Sequence, residues 1–136
     1  MRQRISGGPA IAAMLALSGL AGMARAAETA AAPVQTVTVE LVDDRFVPDH
    51  LTFHHGVAYR LHLENRGKDM HEFTAPEFFK AIKVGNPDAL VPDGHEAVVA
   101  PGKSRDIDFV PVRTGHFPLT CADHDWDGMV GTIDVD

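Results

Sequence analysis

"GHFPLTCADHDWDGMVGTIDV", residues 115–135, contains the single cysteine of this 136-residue chain. The stretch begins and ends as strand. Residues 115–120 and 129–135 are β-branched or apolar at alternate positions and bounded by glycine, the pattern of short half-buried strands. Between them, residues 121–128 read "CADHDWDG". A loop this short returns the chain beside itself and brings Cys121, His124 and Met129 (the spacing Cys-x2-His-x4-Met) to one end of a strand pair. Three roles are open to a lone cysteine here: a small apolar core residue, a catalytic nucleophile, or a thiolate held by a metal. Thiolate, imidazole and thioether meeting at one point favours the third.

The compartment sharpens the question. Arg2 and Arg4 precede an Ala/Leu/Met-rich run from Ala10 to Ala24, and "ARA" at 24–26 supplies small residues for cleavage. We read residues 1–26 as a secretory signal peptide. The apolar run falls short of the ~20 residues that span a bilayer, so no membrane span is expected after cleavage. "AETAAAP" makes residues 27–35 a flexible leader, and residues 36–136 are expected to form one domain. Without the three arginines of the signal, 9 basic and 19 acidic residues remain, a net charge of −10 with histidine neutral. So acidic a surface argues against nucleic acid and anionic membranes and favours cations or a basic partner protein. In an oxidising, periplasmic setting a single thiol has no intrachain partner.

The rest of the chain is written in strands. In "VQTVTVELV" (34–42), Val37, Val39 and Leu41 share one face. "VAYRLHLEN" (57–65) does the same with Val57, Tyr59, Leu61 and Leu63. "EAVVAPG" (96–102) and "RDIDFV" (105–110) add further short segments. Period-two runs with frequent Gly and Pro predict an antiparallel β-sandwich. "PEFFKAIKVG" (76–85) departs from it: Pro76 opens it, and Phe78, Phe79 and Ile82 fall near helical spacing. This predicts one short helical insertion.

Soft sulfur donors with imidazole suit copper in a site of two histidines, one cysteine and a long axial methionine. The second imidazole must come from elsewhere, and His71 in "GKDMHEFTAPEFF" (67–79) is the best placed, just beyond the strand ending near Asn65. "NRGKDMHEF", "VAPGKS" and "TGHFPLTCADHDWDGMVGTIDV" together resemble the cupredoxins, the small copper proteins that include plastocyanin and pseudoazurin. The likeness covers roughly Val37 to Val135. It implies an all-β, Greek-key sandwich of about eight strands with one type 1 copper ion at one end. It also implies His71 and His124 as equatorial imidazoles, Cys121 as the thiolate and Met129 as the weak axial ligand. The activity implied is one-electron transfer through Cu(II)/Cu(I) with a redox partner protein, by a monomer that is not an enzyme, the electron leaving through His124.

Two departures from that family stand out. Glu72 follows the first histidine where asparagine is common; a buried carboxylate there needs partners. The usually apolar ligand loop carries Asp123, Asp125, Asp127 and Trp126, so docking on bare hydrophobic contact is not expected. Six further histidines (His50, His54, His55, His62, His95, His116) lie outside the proposed site. Met70 should point away from His71 in an extended segment. The histidines and the acidic surface keep a second class open: a copper-handling or copper-resistance protein that buffers copper without a dedicated redox partner.

Overall fold

The computed structural model describes residues 32–136. The expected signal peptide (1–26) and most of the expected leader (27–35) lie outside the described residues. Ten strands are present: β1 (Gln35–Val42), β2 (Arg45–Val47), β3 (His50–Phe53), β4 (Tyr59–Asn65), β5 (His71–Thr74), β6 (Ile82–Val84), β7 (Glu96–Val99), β8 (Ser104–Pro111), β9 (Gly115–Thr120) and β10 (Val130–Val135). One short helix, α1 (Pro76–Phe79), and two single 3-10 turns (Pro87–Ala89, Asp125–Asp127) complete the described residues. The strands form two five-stranded sheets, ordered β2-β1-β4-β8-β6 and β3-β10-β9-β5-β7. This is the all-β sandwich expected from the sequence.

Three details differ from expectation, each for a local reason. The strand count is ten rather than about eight. Part of the excess is at Pro48 and Asp49, which separate β2 from β3. Proline has no N–H to offer a ladder, and the chain changes sheet there. The ladders are not all antiparallel: β1 pairs with β4, and β3 with β10, in parallel. Parallel pairing needs a crossover connection, which β1 and β4 obtain from the excursion through β3 in the other sheet. Finally, the segment 76–85 is helical only at Pro76–Phe79; Ile82–Val84 joins β8 as an edge strand.

The expected faces are the buried ones. Val39, Leu41, Tyr59, Leu61 and Leu63 point into the core from β1 and β4, and Phe73, Leu119 and Ile133 meet them from the second sheet. Phe53 is fully buried and sits in an aromatic cluster. Its ring centroid lies 4.9 Å from Tyr59 and 5.0 Å from Phe109, both edge-on, and 5.7 Å from Phe78 in a stacked arrangement. α1 supplies Phe78 and Phe79 to this core, so the helical insertion plugs the sandwich.

Register brings the chemistry to one end. Thr74 of β5 pairs with Thr120 of β9, and Val130 of β10 pairs with Thr120 from the other side. His71 at the start of β5, Cys121 just past β9 and Met129 just before β10 therefore share one edge of the second sheet. In the other sheet, β4 ends at Asn65 and the β1–β2 turn lies at Asp43–Asp44; both reach the same end, through contacts described below.

Phe53→Ala is expected to lower stability by about 3–5 kcal/mol, since it removes a fully packed ring and leaves a cavity. Urea unfolding followed by far-UV circular dichroism measures this; a loss below 1 kcal/mol would mean that the aromatic cluster is not the centre of the core.

Candidate metal centre

Three of the four sequence-predicted site residues offer their ligand atoms within 4.8 Å of one another: His71, Cys121 and His124. Cys121 Sγ lies 3.9 Å from His71 Nδ1 and 3.4 Å from His124 Nδ1, and the two rings are 4.9 Å apart, edge to face. Both imidazoles thus turn the same nitrogen toward one sulfur. Met129, the fourth, is fully buried at the base of the same loop.

Backbone bonds shape that loop. Cys121 N–H donates to Met129 O (3.0 Å) and extends the β9–β10 ladder by one step. His124 N–H donates to Cys121 O (3.1 Å), and Met129 N–H to His124 O (3.1 Å). Gly128 closes the 3-10 turn with φ of 95°, in the left-handed region that glycine enters without steric cost. The result holds Cys121 and Met129 inside, leaves His124 half-buried and exposes Trp126, whose indole Nε1–H reaches Asp123 O (2.9 Å). Trp126 is 78% exposed and so does not cover the cluster. Met70 is half-exposed, as its position next to His71 in an extended segment requires.

Glu72 finds its partners at the sulfur. It is buried; its backbone N–H points at Cys121 Sγ (3.4 Å), and its Oε2 lies 3.0 Å from the same sulfur. Oε2 also accepts from Asp123 N–H at 3.3 Å. A thiol here donates S–H to the carboxylate, and a thiolate would face a like charge. Burial, foremost, and then the Glu72 carboxylate push the thiol up from its ordinary 9.0 to about 11, against the pull of the Glu72 backbone N–H. The residue that departs from the family pattern is therefore in direct contact with the proposed donor sulfur.

Two residues missed from sequence brace the His71 loop. Asn65 is buried and donates through Nδ2 to Asp69 O (2.8 Å) and Val99 O (2.7 Å), while its Oδ1 accepts from Gly67 N–H (2.9 Å). It pins residues 66–70 at both ends. Asp43 accepts from Lys68 N–H (2.9 Å), which together with His71 holds its carboxyl below the usual range; its Oδ1 lies 3.7 Å from His71 Nε2. An asparagine closing an apolar strand is a visible signal in the sequence. An aspartate 28 residues before its partner, in an acidic chain, is not.

The donor set fits a soft metal. Both Nδ1 atoms converge on a sheltered sulfur, with a second sulfur buried in the same loop. Sulfur and imidazole together suit copper, whereas structural zinc sites draw on cysteine and histidine and seldom on thioether. No other group of three metal-ligating side chains forms among the described residues.

Fold and cluster together define a two-sheet β-sandwich with a sulfur–imidazole centre at one end. The chain belongs to the family of cupredoxin-like domains, whose model matches residues 10–135. Auracyanin B is similar in structure, with 22% identity over 77% of this chain and 91% of that one and a TM-score of 0.57. Auracyanin A, a "blue" copper protein of Chloroflexus aurantiacus, matches at 15% identity over 76% of this chain and 100% of that one, TM-score 0.56. The metal-binding domain of a Cu(I)-exporting P-type ATPase from Streptococcus pneumoniae, solved with Cu(I), matches at 14% identity over 76% and 86%, TM-score 0.50. At these identities the likeness is one of fold. No curated protein matches the chain.

The raised thiol gives a pH prediction. Metal capture requires thiolate, so below about 11 each unit fall in pH should weaken apparent affinity about tenfold through Cys121 alone. The folded-state value lies above 9.0, so the thiol's contribution to folding stability is complete below pH 9.0 and is lost as pH rises through about 11. Glu72→Gln should bring the titration midpoint down, because the sulfur then faces no negative charge. Thiolate ultraviolet absorbance of the metal-free protein against pH reads both midpoints; equal midpoints would show that the carboxylate has no influence on the sulfur.

Proposed function

We propose that this protein is a type 1 copper protein that carries single electrons between partner proteins, and that Cys121, His71, His124 and Met129 would hold the copper ion. One observation carries the proposal: two imidazoles from segments about 50 residues apart present the same nitrogen to one buried sulfur, at 3.9 and 3.4 Å. Copper bound there supplies a one-electron Cu(II)/Cu(I) couple.

The chain's own residues do the rest. Ladder hydrogen bonds fix Cys121 and Met129, and Asn65 fixes the loop before His71. The donor positions therefore belong to the sheet and need to change little when the charge on the site changes. Glu72 N–H directs a hydrogen bond at the sulfur; such contacts draw density from a thiolate and tune the potential. His124 is the more exposed of the two imidazoles and gives electrons their way out. Since the chain offers four donors, the role is that of a carrier and not of an enzyme with an open position for substrate.

The surface around His124 suits a particular partner. Trp126 stands out from the loop among Asp123, Asp125 and Asp127. A basic redox protein with a shallow apolar recess would meet both the charge and the ring. A periplasmic location follows from the proposed signal peptide, cleaved after Ala26, which would leave a leader to residue 35 and a cupredoxin domain from 36 to 136. Among the described residues no helix is long and apolar enough to cross a membrane.

The copper-handling alternative rests on the acidic surface and the six further histidines. Five of them stand beside carboxylates: His50 and His116 flank Asp134, His54 meets Asp136, His62 meets Asp106 and His95 meets Asp93. Among the described residues none of these histidines joins a group of three with ligand atoms within 4.8 Å of one another, which supports the carrier role with one ion per chain.

Copper-loaded protein should show an intense thiolate-to-copper band in the visible, absent in Cys121→Ser, at one ion per chain. Met129→Leu should keep the band and raise the reduction potential, because losing a donor costs Cu(II), which takes more ligands, more than Cu(I), which accepts low coordination. A colourless copper complex of the wild-type protein would overturn the assignment.

A further inference from the structure

His71 carries an unexplained atom. Its ring is almost entirely buried, yet among the described residues its Nε2 has no hydrogen-bond partner. An unpaired buried N–H carries a desolvation cost, so a group facing it at close range needs an account. That group is Asp43, whose Oδ1 lies 3.7 Å away.

We infer that Asp43 is the positioning residue of His71. Its carboxylate, facing Nε2 at ion-pair range, favours the ring proton on that nitrogen, leaves Nδ1 as the metal-binding nitrogen and makes it a stronger donor to Cu(II) than to Cu(I). The first part concerns the ring alone; the preference for Cu(II) rests on the copper assignment above.

Three further observations place the carboxylate there by construction. Asp43 lies in the two-residue turn between β1 and β2, where Asp44 follows with φ of 65°, and Lys68 N–H fixes the same Oδ1 at 2.9 Å. The loop leading to His71 is strapped to that hairpin, since Arg66 and Gly67 both donate to Leu41 O, at 2.9 and 3.2 Å. Gly67 keeps the gap clear: a Cβ there would stand 2.7 Å from His71 Nε2 and closer still to Asp43 Oδ1. Only a residue without a side chain lets ring and carboxylate approach. A carboxylate on the outer nitrogen of a metal-binding histidine selects the tautomer and raises the basicity of the inner one. Cu(II), with the greater charge, gains more from that than Cu(I).

The test joins nitrogen NMR of the metal-free protein with voltammetry of the copper-loaded protein, for wild type, Asp43→Ala, Asp43→Asn and Gly67→Ala. Wild type should hold His71 in the single tautomer protonated at Nε2; Asp43→Ala and Gly67→Ala should mix the tautomers. Asp43→Ala should lose about tenfold in Cu(II) affinity and keep its Cu(I) affinity, which raises the one-electron potential by about 59 mV. Asp43→Asn keeps an acceptor oxygen and loses the charge, so it should hold the tautomer and shift the potential part of the way. Tautomer and potential unchanged in Asp43→Ala would overturn the inference. Should that variant not fold, the potential of Asp43→Asn decides, a wild-type value overturning it. A wild-type copper complex without the visible band would sink the copper assignment instead, while the metal-free tautomers still decide whether Asp43 sets the ring.

Discussion

The register of β5 against β9 is the constraint on which this protein turns. A single residue pair, Thr74 with Thr120, joins the two strands. From it follow the contact of Glu72 N–H with Cys121 Sγ and the approach of His71 to the same sulfur. Side chains alternate faces along a strand, so a slip of one residue would turn His71 away from the sulfur and Phe73 out of the core together. The core therefore guards the site: Phe73 is fully buried, and the burial that fixes its face fixes the direction of His71 two residues earlier. The register aims the imidazole, the loop clamp at Asn65 sets how far along the strand end it sits, and Asp43 faces its outer nitrogen.

Much of this was legible in the sequence because it is written in local pattern. The long strands β1, β4 and β8 show alternation over seven or eight residues, and the ligand loop is bracketed by strands whose turn signals are plain. β2, β3 and β6, at three or four residues, are too short for a period to emerge, and their place is decided by pairing with distant segments. The parallel pairings were invisible for the same reason: alternation reports which face is buried, not which neighbour lies beside it. At the site, cysteine, histidine and methionine announced themselves by chemistry and spacing. Glu72 was noticed as a departure, but its contact with the sulfur depends on a strand neighbour 49 residues away. Asp43 was not noticed at all, since one aspartate among many in an acidic chain carries no signal until the hairpin turn brings it to His71.

The acidic loop and the soft site act on each other. The Glu72 carboxylate lies against a sulfur that must become anionic to bind metal, and Asp123, Asp125 and Asp127 are exposed on the loop beyond it. Glu72 and burial together hold the thiol protonated near neutral pH. A protonated thiol is a poor nucleophile and a poor target for oxidation. The negative field that hinders thiolate formation would also attract a cation to the same sulfur. One set of side chains thus protects the sulfur when it is not needed and draws in the ion when it is.

That economy bears on how a redox site tolerates two charge states. A centre that changes charge by one must either move its donors or surround them with groups that respond without moving. Here the proposed donors are tied by backbone hydrogen bonds of the ladder and its loop, which are stiff and indifferent to the charge on the site. The groups left to respond stand one step out. Glu72 and its N–H lie at the sulfur, Asp43 lies at the outer nitrogen of His71, and water reaches half-buried His124. Each touches a different donor, so the potential can be set at three points without disturbing the geometry. The same division explains why the sequence departs from the family pattern beside the ligands and not at them: changing a donor alters what the site binds, whereas changing its neighbour alters only how strongly each charge state is held.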